Sequence, residues 1–273
     1  MKSWLRRHPI AGFILLAFGI SYLLGLPLLM ASQAWAPSLP KPLGAYWPRI
    51  LVVYGPGLAA LILAACSDDS RAAVRGLLGL LRPRKADIPW VAGVLVLSVI
   101  GSTGALVFSG VEPARIYQVS QSRFPLLLAH LGLQLLIVAV GEELGWRGWL
   151  LPALLKHSAR LRAALIVGGV WTVWHMPLLL SSVTTTAMFI VGTVGLSVLF
   201  TWLWARTGER LFVVVAGHAT VNTPLFFWEQ VGLSPGEGLP QLLTVWYILE
   251  AFFAIAALLL VASQWRWWTV REG

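Results

Sequence analysis

The chain has a single cysteine, Cys66, among 273 residues. No internal disulfide can form, and no thiolate cage can hold a metal. Charge is scarce as well: Asp, Glu, Lys and Arg make up 11% of the residues, against about 25% in a typical soluble domain. Hydrophobic residues reach 58% and the mean hydropathy is +0.78, so the polar surface that would wrap a water-soluble core is missing. A soluble globular enzyme is excluded, and so is a disordered chain. Acidic groups are the rarest, 11 against 20 basic ones, giving a net charge of +9 and a pI near 10.4. In a soluble protein that balance would suggest nucleic acid. Here the basic residues lie between long apolar runs, so the expected partner is the lipid bilayer and no nucleic acid. Internal repeats, low-complexity segments and Gly-rich phosphate loops are also missing.

What the chain does have is hydrophobic length. A spanning helix needs roughly 20 mostly apolar residues, and eight stretches come near that: about 10–31, 47–66, 88–109, 124–141, 161–181, 184–204, 211–228 and 240–262. The second, with Arg49 and Pro56, and the seventh, with a His and an Asn, are the weakest. The first follows Lys2, Arg6 and Arg7 and resembles a signal peptide, but it is long enough to span and reads as a retained anchor. Basic residues set the expected orientation. With the N-terminus inside, sixteen fall in the N-tail, 67–87, 142–162 (Arg147 among them), 205–210 and the C-tail; Lys41, Arg49, Arg115 and Arg123 fall outside. Twelve of the 15 tryptophans, including Trp35, Trp146, Trp204, Trp228 and Trp268, lie at or near expected span ends, where an amphipathic ring prefers the interface. The expected fold is therefore all-α: a polytopic membrane helix bundle of about eight transmembrane helices, with both termini cytoplasmic. It forms one integral membrane domain over 1–273.

Ionisable groups within spans are costly and mark candidate sites. Three places hold them. The fourth span ends in Glu142, Glu143 and Arg147; the fifth carries Trp171, Trp174 and His175; the seventh carries His218 and Asn222. Glu143 and Arg147 stand at i,i+4 with the acid first, the favourable order for an ion pair. Glu142 lies about 100° around the helix, less well compensated, which suits a general base; the pair is equally readable as a solvated ion pair at a span end. His218 and Asn222 share one helix face and can aim an imidazole and an amide at one point, or can form an interhelical hydrogen-bond pair. His175 reads either as a site residue or as a buried histidine bonded to a carbonyl. Pro177 and Pro224 each free a carbonyl four residues earlier, which a polar cavity would tolerate. By length alone the Glu pair lies at the end of the fourth span, while His218 and His175 lie roughly 12 and 20 Å deep. Convergence requires that the fifth span start nearer Leu165 or that the site be sunk below the surface.

The order Glu142-Glu143-x-x-x-Arg147, Trp171-x-x-x-His175 and His218-x-x-x-Asn222, on three helices of a multi-span chain, resembles the CPBP family. This is the CAAX-protease and bacteriocin-processing (Abi-like) family of intramembrane peptidases, which includes the Ras-converting prenyl-protein endopeptidase. The resemblance covers roughly 124–228, and differs in placing Trp171 where the family often has Phe. It implies hydrolysis, within the membrane and opening to the cytoplasm, of a peptide bond in a membrane-associated peptide or lipidated protein, of CAAX or leader type; separately, 16 Arg against 4 Lys leans toward a bacterial inner membrane. It assigns Glu142 as the principal catalytic residue, with His175 helping to activate water. His218 and Asn222 would stabilise the oxyanion, and Glu143 and Arg147 would hold the geometry. Both a metal-dependent and a glutamate-dependent chemistry are consistent with the family: Glu142, His175 and His218 are ligand types of a catalytic zinc, while the His-Glu-x-x-His helix of zincins is absent. Two readings from other classes are a non-catalytic scaffold or bacteriocin-immunity protein and a small transporter. Binding alone does not require the full polar set, and no paired repeat supports transport. Glu250, in the last span, fits none of these; snorkelling, pairing with His130 or marking a pathway are its options.

Overall fold

A bilayer core offers the backbone no hydrogen-bond partners, so apolar segments of this length close their amides internally as helices. The computed structural model describes residues 2–271 apart from Trp35, Lys41, 180–181 and 233–238. The expected interface position of Trp35 and outer charge of Lys41 lie outside the described residues, as does the side chain of Pro177. Among the described residues there is no strand. Eight long helices follow the apolar runs: α1 (Pro9–Ala34), α2 (Leu43–Ala65), α3 (Lys85–Phe108), α4 (Phe124–Leu155), α5 (Arg160–Leu179), α6 (Val183–Arg206), α7 (Leu211–Val231) and α8 (Leu239–Ser263). Among the described residues, seven of them, all but α5, are long and apolar enough to cross a membrane. The chain is an integral membrane protein. The side chains at 176–179 of α5 lie outside the described residues, and the eight helices match the expected bundle of about eight.

The two spans that look weakest in the sequence are the innermost. In α2 56% and in α7 67% of the best apolar window is buried inside the protein, against 17% in α3 and 22% in α1 and α8. Protein neighbours, not lipid, surround them, so small and polar residues are accommodated there. α2 packs on α1 and α4; α7 packs on α3 and α4; α6 packs between α5 and α8. Ser182 starts α6 by accepting the Thr185 amide at 3.1 Å, and Gly232 ends α7 in a left-handed conformation (φ 64°) that favours glycine. α7 runs through Pro224 without a break.

α4 departs most from expectation. It does not stop near residue 141 but continues to Leu155, so the Glu pair lies about 13 residues, roughly 20 Å, from its end. The site is sunk, and α5 starts at Arg160 rather than near Leu165. π-helical turns at Gln134–Ala139 and Trp146–Leu150 bracket the α-helical segment Val140–Gly145, a local geometry that re-aims side chains at functional sites. Arg147 is fully buried; it is not a topological charge, and the sixteen inner basic residues become fifteen. Four tryptophans expected at the interface, Trp146, Trp204, Trp228 and Trp268, are buried inside the protein.

Candidate active site

Two glycines bring the glutamates into the bundle. Gly141 and Gly145 face α2 at Val53, Tyr54 and Pro56; a Cβ on Gly145 would fall 2.5 Å from the Pro56 carbonyl carbon, and one on Gly141 2.8 Å from the Val53 oxygen. Only glycine permits that approach. With this flank of α4 against α2, the segment between the glycines holds Glu142 and Glu143, both buried.

The two carboxylates have different partners. Glu143 receives Arg147 Nη1 at 2.9 and 3.1 Å on its two oxygens, and His218 Nδ1 lies 2.8 Å from Oε1. The expected i,i+4 pair is present, but dry rather than solvated. The rest of the guanidinium rests on aromatic faces, 4.6 Å from the Trp171 ring centre and 5.2 Å from that of Phe200. Its Nε and Nη2 find no hydrogen-bond partner among the described residues. Glu142 has no ion pair among the described residues; Trp171 Nε1 donates to its Oε2 at 2.7 Å.

His175 Nδ1 donates to the Trp171 carbonyl at 2.9 Å, the bond expected of a structural histidine, which leaves Nε2 as the free lone-pair nitrogen. The ring is fixed against Trp174 (4.6 Å between centres) and Phe189 (5.1 Å). Trp174 is anchored in turn through its indole N–H to Ser21 Oγ at 2.9 Å. Glu142, His175, His218 and Asn222 line one cavity of about 400 Å³. The structure therefore brings together all four from the three sequence motifs, while Glu143 and Arg147 support them from behind.

Several members of the site were not singled out by their motifs. Trp171, expected only as an aromatic wall, is the hydrogen-bond partner of Glu142. Gln134 accepts from Asn222 Nδ2 at 3.5 Å; a glutamine within a span was the available signal. Glu250 also lines the cavity, packed where a Cβ on Gly192 would fall 1.5 Å from its Oε2 and within hydrogen-bonding reach of Trp246. It does not pair with His130, which is held by Tyr46 and Gln230.

A catalytic metal would need three convergent ligands with free donor atoms. Among the described residues no group of three His, Cys, Asp or Glu side chains is placed to hold an ion. In the candidate trio, His175 Nδ1, His218 Nδ1 and Glu142 Oε2 are engaged by protein groups, contacts of the kind that orient the second ring nitrogen and the other carboxylate oxygen toward the cavity.

Residues 121–224, which contain all three motifs, match the family model of the type II CAAX prenyl endopeptidases, Rce1-like. A stretch of 99 residues is 24% identical to CAAX prenyl protease 2 of Methanococcus maripaludis, covering 32% of this chain and 36% of that protein. The match thus spans about a third of that relative's length. Both matches bear out the resemblance to the CPBP family of CAAX proteases drawn from Glu142 to Asn222.

Proposed function

We propose that the chain is an intramembrane endopeptidase of the CAAX type, hydrolysing a peptide bond near the lipidated end of a membrane-attached protein or peptide. The observation that carries this reading is the unequal treatment of two adjacent buried carboxylates. Glu143 is neutralised by Arg147, whereas Glu142 faces the cavity with one indole N–H as its partner. Glu142 Oε1 and His175 Nε2 both offer lone pairs to a water, so the carboxylate accepts its proton while the oxygen attacks the scissile carbonyl carbon. The proton on Glu142 then passes to the departing amine as the C–N bond breaks.

The developing oxyanion takes hydrogen bonds from Asn222 Nδ2 and His218 Nε2. Because Glu143 accepts the Nδ1 proton of His218, the ring donates through Nε2 only when it carries both protons. Glu143, placed between two cationic groups, offsets that charge. The CAAX substrate class is supported by the family model and by the similarity to CAAX prenyl protease 2 of Methanococcus maripaludis; leader processing, a scaffold role and transport have no comparable support. In this reading both termini are cytoplasmic and the membrane is a bacterial inner one, supported by the basic bias, fifteen inside once Arg147 is set aside, and by 16 Arg against 4 Lys.

The test is cleavage of a prenylated C-terminal peptide by purified protein in proteoliposomes. Glu142→Ala is expected to lose about 10²–10⁴ in rate. Undiminished cleavage by that variant would sink the assignment.

A further inference from the structure

A line of buried polar side chains leads away from Asn222. Its Nδ2 donates to Gln134 Oε1 (3.5 Å), and Gln134 Nε2 donates to the Tyr46 hydroxyl oxygen (3.2 Å). That hydroxyl meets His130 Nδ1 at 2.8 Å, and His130 Nε2 meets Gln230 Oε1. Gln134, Tyr46 and His130 are at most 1% exposed. They come from α4 and α2, belong to none of the three motifs, and no step of the proposed hydrolysis uses them.

What such a chain can supply is a sense of direction. A carboxamide turned by half a revolution keeps its shape but exchanges its oxygen and its NH₂. Near a developing oxyanion only the NH₂ of Asn222 helps; Oδ1 in its place would repel the charge. Gln134 Oε1 holds the productive sense by accepting one Asn222 N–H. Gln134 has the same ambiguity, and Tyr46 removes it. Gln230 Oε1 can only accept, so His130 donates through Nε2 and its Nδ1 takes the Tyr46 hydroxyl proton; the hydroxyl oxygen then has only lone pairs left for Gln134, which must turn its NH₂ there. His130 then carries its own proton on Nε2 and gives it to Gln230. Each link has one donor and one acceptor, so the sense set at one end is transmitted to the other.

We infer that Gln134 is a positioning residue that fixes which end of the Asn222 amide faces the cavity, with Tyr46 orienting Gln134. The inference rests on the reading of Asn222 as an oxyanion donor, but its central claim concerns a hydrogen bond and can be read without catalysis.

Asn222 is the only asparagine in the chain, so ¹⁵N-asparagine labelling of the full protein in detergent micelles gives one side-chain NH₂ pair. One of its two protons is expected to be protected from solvent exchange. Protection should vanish in Gln134→Leu, survive in Gln134→Glu, which keeps an acceptor, and weaken in Tyr46→Phe. Equal exchange of both protons in the wild type, or protection that survives Gln134→Leu, overturns the inference. If Gln134→Leu does not fold, Tyr46→Phe and Gln134→Glu carry the same comparison. In peptide cleavage, Gln134→Leu should lower kcat about 10- to 100-fold with KM unchanged, less than the ~10²–10³ for removing an oxyanion donor outright. Gln134→Leu combined with Asn222→Ala should be no slower than Asn222→Ala alone; losses that multiply would place the action of Gln134 elsewhere and overturn the inference. If protection behaves as expected while Asn222→Ala cleaves normally, the positioning stands and the oxyanion role of Asn222 falls.

Discussion

His218 Nδ1 lies 2.8 Å from Oε1 of Glu143, the same oxygen that Arg147 Nη1 reaches at 2.9 Å. One buried carboxylate thus ties α7 to α4 and serves two cation-type partners at once. Removing Arg147 leaves the Glu143 carboxylate uncompensated in a low-dielectric interior, which costs far more than the pair itself contributes.

Arg147→Met is therefore expected to destabilise the protein by about 3–5 kcal/mol. Arg147→Lys should recover only part of this, because an ammonium lacks the flat face that rests on Trp171 and Phe200. Denaturant titration in micelles, followed by tryptophan fluorescence, measures both. A midpoint unchanged by Arg147→Met would refute the account.

Glu142→Gln keeps an acceptor for the Trp171 indole but cannot take a proton from water. Cleavage should fall by about 10²–10⁴ with the unfolding midpoint little changed. The opposite pattern, activity retained and stability lost, would make Glu142 a structural residue.

The approach of α4 to α2 gives a matched pair of glycine substitutions. Gly145→Ala places a methyl group 2.5 Å from the Pro56 backbone, whereas a Cβ on Gly132 of the same helix meets nothing within 4 Å. Gly145→Ala is expected to lower both stability and activity. Gly132→Ala should be neutral or stabilising by up to about 1 kcal/mol. Equal behaviour of the two in thermal unfolding would contradict the packing described.

Hydrolysis without a metal predicts that dialysis against a strong chelator leaves cleavage undiminished and that active protein contains substoichiometric zinc by elemental analysis. Loss of activity that zinc restores would reject the glutamate-dependent route.

The helices were legible in the sequence because hydrophobic length is a local property, and all eight expected apolar runs became helices. What the sequence hid was burial by other helices. Arg147 reads as a surface charge beside Trp146 and Trp149, yet Glu143 and two aromatic rings take it in completely. α4 therefore passes straight through a segment that looks like a span end. The pairing of Glu143 with Arg147 was visible as a spacing within one helix. The bonds from Glu143 to His218, Glu142 to Trp171 and Asn222 to Gln134 cross 75, 29 and 88 residues, and no periodicity in one helix encodes them. Glu250 was visible as an anomaly, but its seat against Gly192 depends on α6 and α8 packing together.

The close seating of α4 on α2 also bears on how the protein is assembled. α2 emerges from the ribosome well before Gly141 and Gly145, and its small-residue face has no cover until they arrive. The nascent α2 must wait against α1, to which Gly25 and Gly55 already fit it closely, or against the insertion machinery. Packing of the second span is thus completed only after the fourth has been made, and a chain truncated before α4 would hold α2 with that flank uncovered.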